Sequence, residues 1–239
     1  MANKRATYSM LAFPVHLLVI SIAALVLFWL IGFREGFALS SSIKMKIFNL
    51  HPLLMAKVRK SNKIYRNYEI LKVMRDESLY CCFESAMIAY KAIPTPRTVV
   101  KIIHLTLHFI ALVSGIFGVY AVFKFHDELK VPHMYTLHSW IGMSTIVLFG
   151  LQLILGFVTF LFPGAESATR ARFSPWHVSA GVLIFFMAIV TTETGLIEKF
   201  IFQQLKRGQE ALLVNFIGLL ILLFGISVIV TVVLPIRRK

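Results

Sequence analysis

Five stretches of this chain stay apolar turn after turn, without the polar stripe of a helix lying on a soluble core. They run Leu11–Gly32, Ile102–Phe123, Met134–Phe162, Trp176–Ile197 and Leu212–Leu234. At a rise of about 1.5 Å per residue, each can cross a hydrocarbon layer about 30 Å thick. Short alternating strands are missing, which argues against a β-barrel. The pattern predicts an all-α, multi-pass integral membrane protein, folded as one transmembrane domain over residues 1–239. Pro94, Pro96, Pro132 and Pro163-Gly164 punctuate the runs as helix breakers. Pro52 and Pro175 are expected at helix starts, where a missing N–H costs little.

One region departs from the pattern. "FNLHPLLMA" and "YCCFESAMIAYK" are apolar fragments, and the stretch "KVRKSNKIYRNY" begins directly after the first of them. Residues 57–78 include Lys57, Arg59, Lys60, Lys63, Arg66, Lys72 and Arg75. Each charge near a helix centre costs roughly 2.5–3.5 kcal/mol on insertion, so this segment is not expected to cross the bilayer. Yet Lys4 and Arg5 at one end, and Arg237, Arg238 and Lys239 at the other, place both termini in the cytoplasm. Termini on one side require an even number of crossings, and room for a sixth exists only between Gly32 and Ile102. The reading is a second helix whose middle, about residues 57–83, has been replaced. Lys57-Val58-Arg59 is what AAG-GTA-AGA would encode, and GTAAGA resembles a splice donor, so a retained intron or altered exon junction is one origin for the segment.

Composition narrows the class further. The chain has 239 residues, 58% of them hydrophobic and 15% charged, too apolar for a soluble domain of this size. The net charge of +14 would suit nucleic acid, but its basic residues sit in loops between spans. There they set orientation and meet lipid head groups, so a bilayer and not a nucleic acid is the expected partner. Cys81 and Cys82 are adjacent and make no disulfide framework. The first span is longer than a secretory h-region and reads as an anchor.

Chemistry enters with the histidines, eight in all. His51 opens the second apolar region, His104 the third span, His138 the fourth and His177 the fifth. Successive spans alternate direction, so His51 and His138 fall toward the non-cytoplasmic face, His104 and His177 toward the cytoplasmic one. Two pairs, one near each surface, suit two bis-imidazole haems in a four-helix bundle. A zinc or iron transporter would usually add carboxylates. Within the five runs only Glu193 is acidic, toward the non-cytoplasmic end of its span. His108, four residues after His104, reads as a buried helper, and His16 as structural. Gly115, Gly118, Gly150 and Gly156 permit close approach of a helix or a porphyrin.

"FNLHP", "AMIAYK", "KIIHLTLH", "LHSWIG" and "PWHVSAG" together resemble the cytochrome b561 family, particularly its plant vacuolar-membrane type, along nearly the whole chain outside residues 57–83. The resemblance implies six helices, the central four binding two b-type haems, with His51 paired to His138 and His104 to His177. It implies transmembrane electron transfer from cytoplasmic ascorbate to monodehydroascorbate or a ferric chelate opposite, and so an ascorbate-dependent oxidoreductase in the vacuolar membrane. Lys91 and Lys101 match the family's cytoplasmic substrate residues, and Arg172 adds a third cation there. Phe125, His126 and Tyr135 match the non-cytoplasmic substrate site, where a histidine can also carry a proton. A homodimer is an assembly open to such a chain. Because His51 stands on a short apolar stub, the non-cytoplasmic haem is the one in doubt. The rival is an electron-transfer-deficient isoform holding one haem or none.

Overall fold

The computed structural model describes residues 2–34, 36–37, 42, 44–49, 51, 86–90 and 95–233. The charged stretch and Lys91 lie outside the described residues. Six helices are bounded: α1 (Ala2–Gly32), α2 (Lys44–Phe48), α3 (Arg97–Leu129), α4 (Leu137–Phe160), α5 (Ser167–Phe202) and α6 (Gln209–Val233). His51 and residues 86–90 are helical as well, and no strand occurs among the described residues. Part of α1, from Pro14 on, and all of α3 to α6 are long and apolar enough to cross a membrane.

α1, α5 and α6 share a close-packed core. Val15, Val19, Ile22, Val26 and Trp29 recur every three or four residues on α1 and meet Val214, Ile217, Ile221, Phe224 and Val228 of α6 together with Ile184, Phe185 and Ile189 of α5. Trp29 also donates from its ring nitrogen to Glu210 at 2.7 Å, and Glu210 pairs with Arg34. From there the packing runs α5 on α4, α4 on α3, and α3 on α2. α4 contrasts with α1: only Thr145 and Phe149 are buried along it. Large side chains such as Val147, Leu151, Ile154 and Leu155 are exposed, as a bilayer-facing surface requires.

The helices outrun the apolar runs. α3 starts five residues earlier than Ile102, directly after Pro96, and ends with Lys130 in the left-handed region at φ 54°. α5 starts at Ser167, so Pro175 lies inside the helix and not at its first turn. The segment "SATRARFS" explains the difference: it is polar but rich in Ala and Arg, good helix formers that extend α5 beyond the apolar run. α4 starts where sequence chemistry places it. Thr136, extended at φ −107° and ψ 158°, accepts the backbone N–H of Ser139 through its hydroxyl and caps the helix two residues before His138.

Candidate functional site

α4 and α5 carry the same spacing twice. His138 is followed 18 residues later by Gly156, and His177 is followed 18 residues later by Gly195. Eighteen residues are about five turns at 3.6 per turn, so histidine and glycine share a face on each helix. The two helices run antiparallel, and each imidazole meets the other's glycine. A Cβ on Gly195 would stand 2.8 Å from Cε1 of His138, and one on Gly156 would stand 2.8 Å from Cε1 of His177. Only a residue without a side chain admits the rings this closely.

The second imidazole of each pair comes from the α2–α3 side. The ring centres of His51 and His138 are 6.1 Å apart, and those of His104 and His177 are 6.3 Å apart. Along α3, the His51 ring nitrogen meets the carbonyl of Gly118, which stands 14 residues beyond His104. That places the two pairs about 21 Å apart along the helix, one toward each end of the bundle. His51 thus lies at the level of Gly118, and Ala86, whose carbonyl the His104 ring reaches, lies at the level of His104.

Three of the four rings are held the same way. Nδ1 donates to the carbonyl of Gly118 at 3.0 Å from His51, to that of Ala86 at 2.8 Å from His104, and to that of Thr191 at 2.9 Å from His138. Donation from Nδ1 leaves Nε2 with a free lone pair, the tautomer a metal requires. His177 differs. Nε2 of Gln152 lies 3.0 Å from its Nδ1 and donates to the His177 carbonyl at 2.7 Å, so a side-chain amide holds this ring.

These pairs fit haem iron. An imidazole nitrogen bonds a metal at about 2 Å and its ring centre lies about 1.1 Å behind, so two imidazoles on opposite sides of one ion have centres about 6.2 Å apart. Both pairs match. Among the described residues no group of three or more His, Cys, Asp or Glu is arranged for a bare metal ion. Imidazoles in twos suit a planar ligand that supplies the remaining donors.

Around the His104 pair, His108 lies 4.5 Å from the His104 ring and 5.4 Å from Phe149, 7% exposed, while Tyr90 approaches His104 to 5.5 Å. Lys101 donates to the carbonyl of Phe160, the last residue of α4, at 3.1 Å, and the Phe160 ring is 5.2 Å from His177. Lys101 thus sits beside the pair. Arg172 is exposed, five residues before His177 on α5. At the opposite end Phe125 is buried, 4.8 Å from Phe48 and 6.0 Å from His126. Tyr135 is 53% exposed in the α3–α4 turn.

Sequence reasoning passed over three residues there. His133 stacks 5.4 Å from His126 and pairs with Asp127 at 2.9 Å. Phe48 leans on His51 at 6.3 Å. Lys199 is 7% exposed, with its ammonium 4.1 Å from the Phe48 ring centre. "FNLHP" contained a signal for Phe48, three residues before His51; nothing in the sequence paired Lys199 with it. Of the glycines, Gly115 abuts Ile146, where a Cβ would be 2.7 Å away, while Gly150 has ordinary room.

Comparison with known proteins agrees in kind. The family profile "Eukaryotic cytochrome b561" matches residues 77–203, beginning late in the charged region and including His104, His138 and His177. An ascorbate-specific transmembrane electron transporter of Zea mays is 41% identical over 95% of this chain and 90% of its own length. A transmembrane ascorbate ferrireductase of Arabidopsis thaliana is 39% identical over 95% and 94%. A plasma membrane ascorbate-dependent reductase of Xenopus laevis is 35% identical over 97% and 77%.

Proposed function

Because the chain belongs to the cytochrome b561 family, which implies haem b, we propose that it is a di-haem transmembrane oxidoreductase driven by ascorbate. The observation that carries this reading is the pair of matched imidazole couples, 6.1 and 6.3 Å across, at opposite ends of one bundle. His51 and His138 would hold one haem, His104 and His177 the other. Bound there, haem b supplies a one-electron centre at each end.

The chain's own residues do the rest. Gly118, Ala86 and Thr191 fix three ring tautomers through their carbonyls, and Gln152 orients the fourth ring. Ascorbate, a small anion, is drawn to the cytoplasmic end by Lys101 and Arg172, with Lys91 the third cation of that site. There it gives up one electron and releases a proton. The opposite end, around Phe125, His126 and Tyr135, serves monodehydroascorbate or a ferric chelate, the electron's destination. Both termini lie in the cytoplasm, and the vacuolar membrane is the site of action.

Sealed vesicles test this. With the chain inserted, a ferric chelate trapped inside and ascorbate outside, ferrous iron should form in the lumen. His104→Ala and His138→Ala should each reduce that rate to the protein-free level. Reduction no faster than in empty vesicles would identify the rival, an isoform unable to transfer electrons.

A further inference from the structure

On the face of α5 turned away from His138, a groove of about 320 Å³ opens between α5 and α6. Leu196, Phe200, Leu219 and Leu222 make its walls, and Glu193 and Asn215 put polar groups into it from facing helices. Gly218 forms part of the floor, where a Cβ would stand 3.1 Å from Oε2 of Glu193. Oε1 of Glu193 is buried and has no hydrogen-bond partner among the described residues. Asn215 is exposed, six residues into α6 or about 9 Å from its start, within the apolar run that begins at Leu212.

A buried carboxylate oxygen without a partner and an amide exposed on a membrane-crossing helix are costly to leave unpaired, since the bilayer interior offers no water to pair with them. Ionisable groups at such depth commonly mark a binding site or a pathway. The volume is that of a small-molecule pocket, about 300 Å³ at the lower limit. We propose that this groove binds a membrane-dissolved phenol or hydroquinone, its ring over Gly218 and its oxygens on Glu193 and Asn215. Three features select that class. The entrance faces acyl chains, so the ligand must be lipid-soluble. Glu193 and Asn215 both fall within the apolar runs of their helices, so the head group itself must enter the hydrocarbon. The polar groups come from both walls, which suits a head with two oxygens better than an alcohol with one. The site is separate from the imidazole pairs and does not depend on how many haems are bound.

The test uses the full chain in lipid nanodiscs and a decyl-hydroquinone bearing a photoreactive diazirine on its tail. Labelling should fall on peptides containing residues 190–201 and 212–223. A tenfold excess of unlabelled decyl-hydroquinone should suppress it at least fivefold, whereas a sterol or an alkane of matching length should not. Glu193→Leu and Asn215→Leu should each lower labelling at least fivefold while the haem absorption spectrum and haem content stay as in the parent. If the sterol competes equally, the groove is a sterol seat. If a hydroxyl-free probe labels the same peptides as strongly, it holds only lipid tails. Either result, or full labelling of Glu193→Leu, overturns the proposal.

Discussion

A Cβ at Gly195 or Gly156 would overlap one imidazole by several tenths of an ångström, since each lies 2.8 Å from a ring carbon. The ring can yield only by leaving its hydrogen bond to Thr191 or to Gln152. Gly195→Ala should therefore cost the haem of the His51–His138 pair and spare the other, and Gly156→Ala should do the reverse. Haem per chain, measured on each purified variant, should fall from two to about one; unchanged content in both would mean that the glycines serve helix packing alone. Gln152→Leu should disturb the His104–His177 pair alone, seen as a shifted midpoint potential in one of two reductive steps. These partners were half legible beforehand. The histidines stood out by residue type and depth, and Gly156 by its small size. Gly195 and Gln152 did not, because a residue that acts by touching an imidazole leaves a mark only when the facing helix is known.

Helix ends position the rings and handle charge. Thr136→Ala removes the cap of α4 two residues before His138, a loss of about 1 kcal/mol by the usual measure of such caps. A lowered melting temperature with the haem of the His51–His138 pair lost first is expected on heating; parallel loss of both haems would place the effect elsewhere. Lys101, tied to the carbonyl of the last residue of α4, sits where a C-terminal helix dipole favours a cation. Lys101→Ala should raise the apparent KM for ascorbate at low ionic strength, and the difference should shrink as salt rises. An unchanged KM would leave Lys101 as a helix cap only. The spans were readable because hydrophobicity alone sets what crosses a bilayer. Their ends were not: α5 begins at Ser167 because helix propensity continues past the apolar run, and Pro175 is tolerated within it.

At the scale of the molecule, the sequence predicts a crippled second crossing and a doubtful non-cytoplasmic haem, because seven basic residues interrupt an apolar run. The described residues on either side set different terms. His51 meets Gly118 and His138 at one end of the bundle, and Ala86 meets His104 at the other. A sequence read along its length weighs the interruption; packing weighs only where the two flanks arrive. Among the described residues an imidazole pair thus forms at each end, and the two pairs differ by 0.2 Å in spacing. Haem counted per polypeptide in the purified, unaltered chain tests that most directly. The expected result is two, with His51→Ala and His177→Ala each removing one; a parent chain that binds one haem or none would contradict it.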